Sequence, residues 1–331
     1  MRGTSTAPLS LVLLLVGLAG LVMGTAVGSQ GWEAWWTAGQ DPVMAQIVMD
    51  IRLPRSLGAW LGGALLGLAG AIAQGLFRNP LADPYLLGSA SGASLGLSLC
   101  LSLFGGSVLA IDWLPRLGMT AAAFAGAVLA VALTLMLARG VQQTLRLLLA
   151  GVVVGVVLGA LASLVALLEP LVLKAMQGFM LGSTSFVGWT SCGLMALSLL
   201  LTLGVSWALS PVLDALTLGE PTAQSLGLPL AQARLWLVAA MALATAAAVA
   251  QMGLIAFVGL AAPHAVRSLL RCTHAGLLWL SALMGGTLLL LADVLARWTL
   301  APQDLPVGVL TAVLGGLYLL WRMKPAAGGR A

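Results

Sequence analysis

Long apolar runs alternate with short polar breaks along the whole chain, and each run is long and charge-poor enough to cross a bilayer as a helix. The pattern predicts ten spans, at residues 9–27, 57–77, 85–104, 118–138, 147–168, 189–209, 235–251, 253–270, 277–295 and 306–321. The stretch 51–92 shows the layout most clearly. Arg52 and Arg55 flank Pro54, a glycine- and alanine-rich apolar run follows, and Arg78-Asn79-Pro80-Leu81-Ala82-Asp83-Pro84 closes it. Two prolines there cannot continue a helix, so the break reads as a tight turn at the membrane surface before a return span.

The remaining breaks differ in kind. Residues 29–55 form a polar connection whose Trp32, Trp35 and Trp36 suit the headgroup level. Residues 105–117, with Asp112, Pro115 and Arg116, read as a loop. Residues 169–188 are too short and too broken to span, and are predicted as a re-entrant or interfacial helix. Residues 213–229 interrupt the apolar pattern with two short helical pieces, and the short crossing 253–270 is interrupted by Pro263 and His264. Gly151, Gly155 and Gly159 share one helix face, which would admit either a neighbouring helix or a bulky solute. The first apolar run could pass for a signal peptide, but a chain this apolar needs no cleavable export signal, so it is read as an uncleaved span.

Composition fixes the class. Hydrophobic residues make up 60% of the 331 and charged residues only 8%, against about 25% charged in soluble domains. The expected fold is all-α, a polytopic helical membrane bundle forming a single domain over residues 1–331. Cys100, Cys192 and Cys272 lie far apart without CxxC spacing and read as free buried thiols. The net charge of +5 does not point to nucleic acid, because the basic residues sit at span ends rather than in one stripe. With both termini cytoplasmic, the inner face carries ten basic and three acidic residues and the outer face five and seven. The resulting +7 against −2 follows the positive-inside bias.

Candidate chemistry is sparse. There is no GxxxxGK[ST] loop to cradle phosphates, no HExxH, no GxSxG and no paired carboxylates on one helix face. Asp293 is the one carboxylate inside a predicted span, and Arg297 at i+4 makes it a helix-end ion pair rather than a proton relay. The chain is therefore expected to have no catalytic residues, to bind no metal or cofactor, and to draw its energy from elsewhere.

Several motifs carry a resemblance. RLPR (52–55), GLAGAIAQGLFRNPLADP (67–84), LLGSASGA (86–93), LGEPTAQSLGLP (218–229), IAFVGLAAPHAVRSLL (255–270), LLLLADVLARW (288–298) and DLPVGVLTAVLGGLYLL (304–320) together resemble the FecCD family. These are permease subunits of ABC importers for ferric siderophores, haem and cobalamin. The resemblance implies a homodimer in the bacterial inner membrane, two ATPase subunits holding ATP and Mg, and one periplasmic binding protein.

It also implies roles. Leu218, Gly219, Glu220, Ala223, Leu226 and Gly227 belong to the segment that couples to the ATPase. Pro221 suits a first helical turn with Glu220 favourable beside it, and Leu218, Ala223 and Leu226 could form an apolar knob. Arg52, Arg55 and Arg297 match positions that receive acidic residues of the binding protein; taken alone, arginines at a span end are headgroup anchors. Asn79, Leu81, Thr144 and Leu145 match the inner gate. The fifth span (with Gly151, Gly155 and Gly159), the 169–182 helix (with Met176 and Met180) and the tenth span would line a route between the two copies. Leu145 stands where the cobalamin permease has a small polar residue, which favours a flatter, more apolar cargo such as haem. His264 after Pro263 reads as a structural turn residue rather than a haem ligand. The reading from another class is an ion-coupled secondary carrier.

Overall fold

The structure, a computed structural model, describes residues 6–28, 31–32, 41–104, 113–138, 144–299 and 303–323. Among these the chain is almost entirely helical: α1 (Ala7–Ala26), α2 (Pro42–Ile47), α3 (Leu53–Phe77), α4 (Ser89–Phe104), α5 (Trp113–Leu137), α6 (Thr144–Leu168) and α7 (Pro170–Leu181). There follow α8 (Trp189–Ala208), α9 (Ser210–Thr217), α10 (Glu220–Ser225), α11 (Leu230–Met252), α12 (Val258–Leu269), α13 (His274–Thr299) and α14 (Val307–Met323). A two-residue antiparallel ladder pairs Val27–Gly28 with Gly31–Trp32 just after α1. Among the described residues, seven helical stretches are long and apolar enough to cross a membrane, the run Pro42–Phe77 counting as one. Helices α4, α7 and α14 are shorter apolar helices.

Helix α3 is the axis. It is buried along nearly its whole length, and α13 lies closely beside it. The closeness comes from small residues: a Cβ on Gly63 would stand 2.3 Å from the Gly285 carbonyl oxygen, and one on Gly67 2.2 Å from that of Ser281. Between membrane helices such contact rests on van der Waals packing, which small faces permit. Helices α8, α11 and α12 pack against the other sides of α3, enclosing Leu65, Leu66, Leu68 and Ile72 with Leu237, Met241 and Leu278. Helix α6 is different. Its Val152, Val153, Val156 and Val157 are exposed, as are Val313, Leu314, Leu317 and Leu320 of α14.

Four boundaries differ from the sequence reading. The connection 29–55 is not polar coil throughout: helix begins at Pro42, passes through a π-turn at Val48–Arg52 and continues into α3. Pro54 explains the widened turn, since it brings no N–H and its ring crowds the preceding carbonyls. The span expected to start at Tyr85 begins instead with a 3₁₀ turn, Pro84–Leu87, and α4 starts at Ser89. Residues 113–117, expected in a loop, already belong to α5. Pro263 does not interrupt the short crossing either. It sits inside α12, and the break falls earlier, where residues 253–257 are non-helical and Phe257 adopts φ +69°. His264 is likewise helical and meets Tyr318 edge-on, with ring centroids 5.8 Å apart.

Candidate functional site

At one end of the α3–α13 pair, charges gather. Asp293 is wholly buried. Arg297 Nη2 lies 2.7 Å from its Oδ2, Arg55 Nε donates to Oδ1 at 3.3 Å, and the Thr184 hydroxyl donates to the same Oδ1. Arg55 Nη1 also donates to Asp304 Oδ2 at 2.8 Å. Two cations thus face two anions drawn from α3, α13 and the segment before α14. Arg297 also donates to the Gly24 and Val27 carbonyls, at 2.8 and 3.2 Å, to the Ser56 hydroxyl at 3.1 Å and to the Asp293 carbonyl at 3.4 Å. Arg52 donates to the Thr25 carbonyl at 3.3 Å. Gly24 and Thr25 belong to the last turn of α1, whose carbonyls have no donor within the helix and mark its negative end. These arginines therefore also terminate α1.

The opposite end holds the segment 213–229. It forms two short helices, α9 and α10, as the pattern predicted. Gly219 turns the chain between them at φ +99°, and Pro221 lies in the first turn of α10. Glu220 pairs with Arg234 of α11. Leu218 and Leu226 are exposed, but Ala223 is not part of an apolar knob: it is fully buried against Val212, Leu216 and Leu230. Asp214 of α9 meets His274, the first residue of α13, through Nδ1 at 2.7 Å.

Nearby, Arg78 adopts a left-handed conformation after α3, and Asn79 Oδ1 accepts the Leu81 N–H at 2.9 Å to form a tight turn. Asp83 accepts the Tyr85 N–H at 2.8 Å and starts the 3₁₀ turn. Leu81 is exposed, and so is Leu145 at the start of α6. Thr144 opens α6, while its side chain and residues 139–143 lie outside the described residues.

Between the two ends, a cavity of about 240 Å³ opens among α4, α6 and α7. Gly159, Met176, Met180, Gln177, Ser91 and Ser163 line it. Gly159, Met176 and Met180 thus meet at one cavity within the chain. Gly151 does not join them. It packs on the Pro84–Leu87 turn, where a Cβ would stand 2.1 Å from the Leu86 carbonyl oxygen, and Gly155 faces Gly88.

The model of the FecCD transport family matches residues 11–324. The chain belongs to the FecCD transport family. The haemin transport system permease protein HmuU of Yersinia pestis is 37% identical over 330 residues, covering 97% of each chain. The vitamin B12 import system permease protein BtuC of Escherichia coli O157:H7 is 38% identical over 321 residues, covering 96% of this chain and 94% of the relative. A solved structure of a metal-chelate type ABC transporter in an inward-facing conformation superposes with a TM-score of 0.83 at 29% identity, covering 97% and 100%. As a FecCD-family member the chain is a permease of an ABC importer.

In this FecCD permease, three arginines at one end of the α3–α13 pair are deeply placed: Arg52 is 7% exposed, Arg297 4%, and the Arg55 side chain 11%. Three participants escaped the motif reading: Thr184, Arg234 and His274. Asp304 opens one of the motifs, but its pairing with Arg55, like the others, joins residues apart in sequence that no local pattern marks.

Proposed function

We propose that this permease moves haem or another iron chelate across the bacterial inner membrane as one of two identical membrane subunits. Ferric siderophores and cobalamin are the alternative cargoes. Leu145 carries the cargo reading: an exposed apolar side chain at the mouth of α6 favours a flat apolar solute. Two copies would cover the exposed faces of α6 and α14, with lipid on the rest, and the route would run between them beside α7.

Ten crossings would then be made by α1, the Pro42–Phe77 run, α4, α5, α6, α8, α11, α12, α13 and α14, with α7 re-entrant and both termini cytoplasmic. Leu218 and Leu226 would enter an ATPase subunit that holds ATP and Mg, and Leu81 and Leu145 would stand at the inner gate. A binding protein would dock by its carboxylates near Arg55, with Arg52 and Arg297 holding that surface in shape. The ion-coupled alternative needs an ionisable relay in the spans, and Asp293 is already neutralised by Arg55 and Arg297.

The test is uptake in proteoliposomes carrying the permease, its ATPase and its binding protein. ATP-dependent haem uptake that Leu226→Asp abolishes supports the reading. Uptake of cobalamin or a ferric siderophore instead overturns the cargo. Uptake that follows an ion gradient without ATP overturns the importer mechanism.

A further inference from the structure

Arg55 holds two acids of unequal standing. Asp293 is buried, and Arg297 and Thr184 bind it as well. Asp304 is 41% exposed at its side chain, yet it makes the shorter bond to Arg55, at 2.8 Å against 3.3 Å. Asp304 also accepts the Ser185 hydroxyl at 3.4 Å, and Ser185 is bound in turn to Ser183 at 3.0 Å. The exposed carboxylate therefore pins three parts of the chain to one guanidinium: α3, the turn after α7, and the residues leading into α14.

The turn after α7 is also held by backbone bonds, to α14 and to α11. The Gly308 N–H of α14 donates to the Gly182 carbonyl at 3.2 Å, and the Ser183 N–H to the Met252 carbonyl at 2.8 Å. α7 and the first turn of α14 are thus held to each other, and the pair is held to α3 and α13 through Asp304–Arg55 and Thr184–Asp293. Of these two ties, only the first reaches the surface.

We propose that Asp304 is an internal competitor for the carboxylate of the docking partner, so that the Arg55–Asp304 pair is a latch on the outer end of the permease. The proposal rests on the docking reading above. An incoming carboxylate takes Arg55 Nη1, and Asp304 moves into water. The cluster keeps its balance of two arginines facing two acids, because one carboxylate replaces another. Asp304 can leave at little cost because it is already partly hydrated, whereas Asp293 cannot. Releasing Asp304 leaves Thr184–Asp293 as the other of the two polar ties from α14 and the Ser183–Ser185 turn to α3 and α13, beside the apolar packing of Val187 on α3 and of α14 on α13. Docking and outer-gate movement become one exchange of ion pairs. The partner surface this fits is acidic, with a carboxylate that reaches a recessed guanidinium.

The experiment measures binding of the importer's own binding protein to the complete permease–ATPase complex in nanodiscs. Asp304→Asn removes the competitor and keeps the side chain's size, so binding tightens about fivefold, as loss of an exposed ion pair would allow. Asp304→Glu restores the competitor and returns affinity toward the wild type. Arg55→Ala weakens binding. A second readout is amide hydrogen exchange at Thr184–Val187, which rises in Asp304→Asn without the partner. If Arg55→Ala binds as well as the wild type, the docking reading falls and the latch with it. If Arg55→Ala weakens binding but Asp304→Asn is unchanged or weaker, docking stands and the latch is overturned.

Discussion

His274 Nδ1 lies 2.7 Å from Asp214 Oδ1, and the same oxygen accepts the His274 backbone N–H at 3.0 Å. One carboxylate of α9 therefore caps the start of α13 and joins that helix to the segment read as the ATPase contact. α13 is 26 residues long, about 39 Å at helical rise, and carries Asp293 and Arg297 near its far end. Asp214→Ala should cost about 1 kcal/mol of stability, the usual worth of a cap. It should also lower cargo moved per ATP hydrolysed, because the α9–α13 joint is loosened. Parallel uptake and phosphate-release assays in proteoliposomes check this; an unchanged ratio would show that the joint carries no motion.

The charge cluster at the other end makes a second prediction. Arg297→Met leaves Asp293 buried with one cation fewer and takes the arginine donor from the Gly24 and Val27 carbonyls. The expected loss is about 3–5 kcal/mol, seen as a lower unfolding temperature and a smaller monodisperse yield. Adding Asp293→Leu in the same chain should recover part of it, since Arg55 keeps Asp304.

Close approach of α12 to α3 makes a third. Pro263 has no N–H, so the Gly259 carbonyl lacks its helical donor, and α12 lays that carbonyl against Gly70. A Cβ on Gly70 would stand 1.6 Å from the oxygen. Gly70→Ala should therefore destabilise by about 1–3 kcal/mol or prevent assembly of the helix pair. Gly204→Ala in α8, where nothing lies within 4 Å of the added atom, should be neutral or stabilising. Thermal unfolding of the two variants side by side is the measurement.

Asp83 supplies a pH dependence. Burial pushes its carboxyl above the ordinary range, and the hydrogen bond from the Tyr85 N–H opposes this in part. The folded state thus holds the proton more tightly than the unfolded state. Stability should fall as pH rises from the ordinary aspartate range through the raised folded value, then level off. Asp83→Asn keeps an acceptor for the Tyr85 N–H and removes the buried charge. Its unfolding temperature should stay flat across that window and exceed the wild type at neutral pH.

Comparison of sequence with structure divides along the range of the forces involved. The two short helices around Glu220, the short helix from Pro170 and the turn at Asn79 were legible because prolines, glycines and loss of hydropathy act within a few residues. The extension of α3 back to Pro42 was missed because Asp50, Arg52, Pro54 and Arg55 break the apolar pattern before the span, though a capping Asp41 stands ahead of it. The broken helix was assigned to Pro263 instead of residues 253–257. A proline is tolerated inside a helix when a neighbour's missing side chain leaves room for the displaced carbonyl, and Gly70 lies 189 positions away.

Sequence alone determined that this chain is a helical membrane protein, where most of its spans fall, and the FecCD family to which it belongs. Those conclusions need only hydropathy, period and short motifs, all read along the chain. Tertiary structure decided which residues at those places meet. It buried Arg52 and Arg297, left Arg55 partly exposed, and set Asp304 and Asp293 as unequal partners on one guanidinium. It turned Gly151 toward the Leu86 carbonyl, away from the cavity around Met176, and sank Ala223 beneath the surface that Leu218 and Leu226 share. The reason is physical: a side chain's partner is chosen by how helices pack across long sequence separations, and no local pattern encodes that choice.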